Sequence, residues 1–127
     1  MTTAVACVAL LGLLVIGLGF NVSIARGKAQ NTGGQPNRPD DPLFKAVRAH
    51  GNAVEYAPML AILMFVLGSQ GPAGWLLWVM VAATLSRYLH AVGMLMSGTL
   101  EKPQPLRVIG AMGTYLTGVV LSVALLI

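Results

Sequence analysis

Four long apolar runs alternate with short polar segments along this chain. The runs cover roughly residues 3–25, 53–69, 72–96 and 106–127, each within the ~17–25 residues a helix uses to cross a hydrocarbon core. None shows the alternation of a membrane β-strand, the other way to satisfy backbone groups in lipid. The pattern predicts an all-α integral membrane protein with four transmembrane helices. Helical continuation into the polar residues before the second run gives expected spans of 3–25, 45–69, 72–96 and 106–127, in a single domain over residues 1–127. The segments between the runs are RGKAQNTGGQPNRPDDP, GSQGPAG and SGTLEKPQP. Gly33, Gly34, Pro36, Pro39 and Pro42 predict an irregular first connector. Asp40 and Asp41 stand where carboxylates favour the start of a helix. The opening MTTAVACVALLGLLVIGLGF has no basic residue before its apolar stretch, which exceeds the ~7–15 residues of a signal sequence, so it reads as a retained span.

Composition excludes an ordinary soluble domain. Hydrophobic residues make up 56% of the 127 and charged residues 9%, against about 25% charged in soluble proteins; the mean hydropathy is +0.76. The sole cysteine, Cys7, excludes an internal disulfide and reads as a small buried or lipid-facing hydrophobe. A net charge of +4 does not point to nucleic acid, because the basic residues cluster by topology. Arg26, Lys28, Arg38, Lys45 and Arg48 follow the first run, and Arg87, Lys102 and Arg107 surround the third gap. The positive-inside rule then predicts that both charged loops are cytoplasmic and that GSQGPAG and both termini face the other side.

Small residues mark possible packing seams. Gly110, Thr114, Gly118 and Ser122 recur at every fourth position of the fourth run, and Gly12 and Gly19 lie a heptad apart in the first. Such stripes let membrane helices approach closely where apolar area itself supplies no driving force. The longer stripe suits packing within one subunit or between subunits.

The stretch RAHGNAVEYAP, residues 48–58, is the most informative. On a helix with Arg48 at zero, Asn52 falls near about 40°, Glu55 near −20°, Lys45 near 60° and Tyr56 near 80°, whereas His50 points away near 200°. A carboxylate such as Glu55 is costly in a membrane helix and marks a functional site with a partner; Arg48, Arg87 and Arg107 are the candidates. Pro58 frees a backbone carbonyl near Val54. In the third run Arg87, His90 and Met94 share a face, and Arg107 opens the fourth at the same membrane level. His90 lacks companion ligands at metal-binding spacing. Three arginines beside Asn52 and Glu55 suit a small, multiply anionic, partly peptide-like ligand.

The R-x-x-x-N-x-x-E-Y pattern of Arg48, Asn52, Glu55 and Tyr56 resembles the second-helix signature of the MAPEG superfamily, the membrane-associated proteins of eicosanoid and glutathione metabolism. The four spans, basic first loop and arginine opening the fourth helix extend the resemblance over nearly the whole chain. It implies a homotrimer of four-helix subunits binding glutathione as co-substrate between neighbours near the cytoplasmic side. Arg26, Arg48, Asn52, Glu55, Tyr56, Arg87 and His90 would bind glutathione. Arg107 would be catalytic, holding the thiolate, which becomes nucleophilic when a cation stabilises it. His90 and Met94 stand where animal leukotriene-synthase members carry tyrosines, a departure that resembles the bacterial branch and implies a multi-pass inner-membrane protein. The implied function is glutathione transfer to lipophilic electrophiles, or reduction of lipid hydroperoxides by the same thiolate. The alternative is a non-catalytic member that binds a lipid or a protein partner; a proton-coupled transporter using Glu55 and His90 is a third reading, disfavoured because both lie near one membrane surface.

Overall fold

The computed structural model describes residues 1–33 and 37–127; the expectations for Gly34 and Pro36 lie outside the described residues. Four helices follow one another: α1 (Thr2–Thr32), α2 (Pro42–Ser69), α3 (Gly74–Met96) and α4 (Pro105–Ala124), all long and apolar enough to span a membrane. The expected helix cores are therefore present.

The helix ends differ from expectation where local chemistry acts. α1 continues six residues past Arg26 into the segment expected to be irregular, running through Gly27 and ending only at Gly33. That glycine adopts a left-handed φ of 68°, and its N–H donates to the Ala29 carbonyl, closing the helix as glycine readily does. α2 starts three residues before expected. Pro42 occupies its first turn, and Asp41 Oδ1 accepts from the Leu43 and Phe44 N–H groups at 2.8 and 3.3 Å, as a carboxylate N-cap does. α2 then runs through Pro58 to Ser69.

The helices pack chiefly as two neighbouring pairs, α1 with α2 and α3 with α4, joined by the packing of both α1 and α2 against α3. Leu11, Leu14, Leu18 and Val22 of α1 repeat at three- and four-residue spacing and are buried. Ala46, Ala49, Ala53 and Ala57 give α2 a narrow seam. Gly19 receives the His50 ring: a Cβ there would lie 3.2 Å from Nε2. His50 thus serves the α1–α2 contact, on the side away from Arg48. Gly12 meets no neighbour within 4 Å of a built Cβ, so the expected seam in α1 rests on Gly19 alone. Cys7 is buried in the apolar core with Leu11, Leu60, Met64 and Met80. Leu13, Ile16, Phe20, Ile62, Phe65, Trp78 and Leu116 are instead exposed. An apolar exterior around a packed interior is the arrangement lipid favours.

The stripe in α4 faces inward at its charged end. A Cβ at Gly110 would lie 2.6 Å from the Ser86 carbonyl oxygen and 2.7 Å from His90 Cα. Thr114 is buried, and Gly118 faces Leu60 of α2, whereas Ser122 is exposed. The seam is completed by residues outside the stripe. A Cβ at Gly93 would lie 2.8 Å from Arg107 Cα, and one at Gly113 would meet Ser86. Backbones thus come into contact, which only glycine permits.

Gly110→Leu should therefore lower thermal stability in detergent micelles by at least the ~1–3 kcal/mol of an overpacked core. Gly12→Leu, on the open side of α1, should leave the unfolding midpoint unchanged; equal midpoints for the two variants would contradict the seam.

Candidate functional site

The first and third connectors meet at one end of the bundle. The Leu100 N–H donates to the Pro39 carbonyl at 3.0 Å, and Lys45 Nζ donates to the Ser97 carbonyl at 2.8 Å, placing a cation at the C-terminal end of α3 where the helix dipole favours one. Between these loops and α2, α3 and α4 opens a cleft of about 380 Å³, a size common for small-molecule sites. Arg48 and Asn52 enter it from α2, His90 and Met94 from α3, Arg107 from α4, and Glu101 from the loop before α4.

The backbone N–H of Arg107 donates to Gln104 Oε1 at 2.9 Å, which caps α4. Its guanidinium donates to the Leu100 and Lys102 carbonyls at 3.2 and 3.3 Å. Those bonds use two of five N–H donors and hold the backbone on both sides of Glu101. The Glu101 N–H donates to Thr99 Oγ1 at 3.3 Å. His90 Nδ1 lies 2.9 Å from the Arg107 carbonyl oxygen.

Arg87 lies beneath this surface and is only 1% exposed, the largest of the fully buried side chains. It donates to Asn52 Oδ1 and, at 3.4 Å, to Thr114 Oγ1. Its guanidinium carbon stands 5.1 Å from the Tyr56 ring centroid, within cation–π range. Nε is buried without a hydrogen-bond partner among the described residues. Because Asn52 gives its oxygen to Arg87, its amide N–H groups remain for the cleft.

The expected polar set is therefore divided. Arg48, Asn52, His90 and Arg107 share the cleft, and Arg87 supports it from behind. Glu55 is exposed on α2 and does not line the cleft. None of Arg48, Arg87 or Arg107 forms an ion pair with it within 4 Å among the described residues, so the expected Glu55–arginine pairing is not made within the chain. Arg26 is exposed on α1, away from the cleft. Lys45, placed near Arg48 by helical angle, instead bonds to Ser97 and lines a separate cavity of about 490 Å³ with Lys28 and Asp41. Tyr88 donates its hydroxyl to the Leu10 carbonyl at 2.9 Å, tying α3 to α1.

Three participants escaped the sequence reading. Glu101 was signalled only by a carboxylate standing just before α4. Thr114 was counted as a small packing residue, although its hydroxyl meets Arg87. Tyr115 on α4 places its hydroxyl 3.2 Å from that of Tyr56, with ring centroids 5.8 Å apart in an edge arrangement; its signal was a tyrosine within an apolar run.

The MAPEG family model matches residues 4–127. The chain belongs to the MAPEG family. No individual curated protein matches it. Membership agrees with the four membrane-spanning helices, and this MAPEG chain is an integral membrane protein.

Asn52→Ala would leave the buried Arg87 short of its closest acceptor. The expected cost is about 1.5–3 kcal/mol, the range for hydrogen bonds to charged groups. Arg87→Leu in the same chain should recover part of that loss, since it removes the stranded charge. Equilibrium unfolding of the single and double variants measures both effects, and strict additivity would exclude the coupling.

Proposed function

We propose that this MAPEG protein is a membrane glutathione transferase whose co-substrate enters the cleft between α2, α3 and α4. The single observation carrying the proposal is the gathering of Arg48, Asn52, Arg107 and Glu101 around one cavity. Two cations, an amide and a carboxylate complement a ligand with two carboxylates, peptide groups and an ammonium, the charge pattern of glutathione. Arg48 pairs with a carboxylate, and Asn52 donates to a peptide or carboxylate oxygen. Arg107 uses a remaining N–H to stabilise the thiolate. The thiolate attacks a lipophilic electrophile arriving from the bilayer, or the terminal oxygen of a lipid hydroperoxide, in a detoxifying role.

Arg26, Glu55 and Tyr56 enter this reading through assembly. Arg26 and Glu55 are exposed and Tyr56 is half-buried, so they supply polar groups to a neighbouring subunit or to ligand held against it. A homotrimer with glutathione between subunits gives each a role, with Glu55 and Glu101 both available to the ammonium. The charged loops face the cytoplasm of an inner membrane, where water-soluble glutathione is supplied.

The engagement of the Arg107 guanidinium with the Leu100 and Lys102 carbonyls favours a second reading, a non-catalytic member that binds its ligand without activating it. Titration of the purified protein with glutathione separates the two. A transferase develops the ultraviolet absorbance of a thiolate on binding and conjugates activated aryl halides, whereas the non-catalytic member binds without that absorbance. For the transferase, Arg107→Ala should lower kcat/KM by about 10²-fold, as loss of one anion-stabilising donor does. Absence of conjugation, hydroperoxide reduction and thiolate absorbance in the unsubstituted protein would defeat the enzymatic reading.

A further inference from the structure

We infer that His90 is the general base that takes the proton from the glutathione thiol, through Nε2. The inference rests on the glutathione reading and deepens it.

A carbonyl oxygen can only accept a hydrogen bond. With Nδ1 at 2.9 Å from the Arg107 carbonyl, Nδ1 must carry the proton. In the neutral ring Nε2 is then the atom with the free lone pair, since the hydrogen bond made by one ring nitrogen sets the role of the other. His90 is 7% exposed, and the face it retains borders the cleft holding Arg48, Asn52 and Arg107. The tautomer is imposed by packing. A side chain at Gly110 would collide with the His90 backbone, and one at Gly93 with the Arg107 backbone. These two glycines let α4 approach α3 closely enough for a main-chain carbonyl to reach the ring.

The charged groups around the ring act on the two partners differently: the arginines favour the thiolate and oppose a positive ring until that thiolate forms, whereas Glu101 favours the imidazolium. Arg87 lies one turn earlier on α3, Arg107 on α4 and Arg48 on α2, and Glu101 projects from the loop; α1 contributes no cleft residue. The S–H bond breaks, its electron pair stays on sulfur, and the proton passes to Nε2. The new thiolate is an anion beside Arg48 and Arg107, with Arg87 buried behind them, and it compensates the imidazolium formed next to it. When the thiolate adds to an activated alkene or epoxide, the imidazolium returns the proton to the carbanion or alkoxide. When it displaces a halide, the proton passes to water.

The test uses His90→Asn in the full chain. The Asn amide can still donate to the Arg107 carbonyl but has no basic nitrogen. Glutathione affinity is measured alongside, and thiolate formation and turnover are compared at saturating glutathione. At neutral pH, kcat/KM with an activated aryl chloride should fall about 10²-fold, the lower range for general-base catalysis. Thiolate formation should shift to higher pH, while staying below the ~8.5 of a free thiol because Arg107 still stabilises the anion. An unchanged pH profile of thiolate formation would overturn the proposal. ¹⁵N NMR of histidine in the unsubstituted protein gives a readout independent of whether the variant folds: a neutral His90 protonated on Nδ1 is expected, and one protonated on Nε2 would refute it. Failure of the unsubstituted protein to bind glutathione or form thiolate at any pH would remove the functional reading itself, whereas normal binding with an indifferent His90→Asn would remove only the base.

Discussion

Backbone contact between α3 and α4 is the constraint on which the rest depends. In lipid, apolar side chains gain nothing by leaving one apolar surface for another, so close packing and hydrogen bonds must hold helices together. Gly93, Gly110 and Gly113 remove the side chains that would keep α3 and α4 apart. At that distance the Arg107 carbonyl reaches His90, and the Thr114 hydroxyl reaches Arg87. Arg87 in turn reaches Asn52 on α2. A packing decision on α4 is thus transmitted by hydrogen bonds to the wall of the cleft on another helix.

Hydropathy made the four spans legible because lipid imposes both length and composition on a crossing helix. Helix ends were less legible, since they depend on local caps: α1 persists to Thr32 until Gly33 stops it, and α2 begins where Asp41 satisfies its free N–H groups. Helical angle correctly grouped Arg48 with Asn52, but it could not say how far along the axis the neighbouring elements extend. Glu55 is displaced about 10 Å from Arg48 along α2 by seven residues of rise, and Pro39, Leu100 and Glu101 close around Arg48 instead. Lys45 shows the same limit, since a long side chain can leave its helical face for a carbonyl on another element. The stripe on α4 was visible, yet its orientation depended on Ser86, Gly93 and Gly113, none of which belongs to its spacing.

The polar interior separates two tasks that a sequence merges. Arg87 carries a charge but is built into the protein by an amide, a hydroxyl and an aromatic face. Arg48 and Arg107 carry the same charge at the cleft. Arg87 needs a planar side chain with several donors to hold Asn52 while lying under Tyr56, a geometry that the compact ammonium of lysine does not reproduce. One arginine organises the wall while the others are available at its surface.

The burial of Arg87 also determines how the cleft responds to ionic strength. Mobile ions weaken exposed charges over a Debye length of about 8 Å at physiological salt, whereas buried charges are screened much less. Arg48 and Arg107 belong partly to the screened class, and Arg87 does not. The cleft therefore retains a component of positive potential in concentrated electrolyte. Added salt will erode the potential that Arg48 and Arg107 project outward more than the part that Arg87 sets at the cleft wall, so the far field and the near field respond to electrolyte differently.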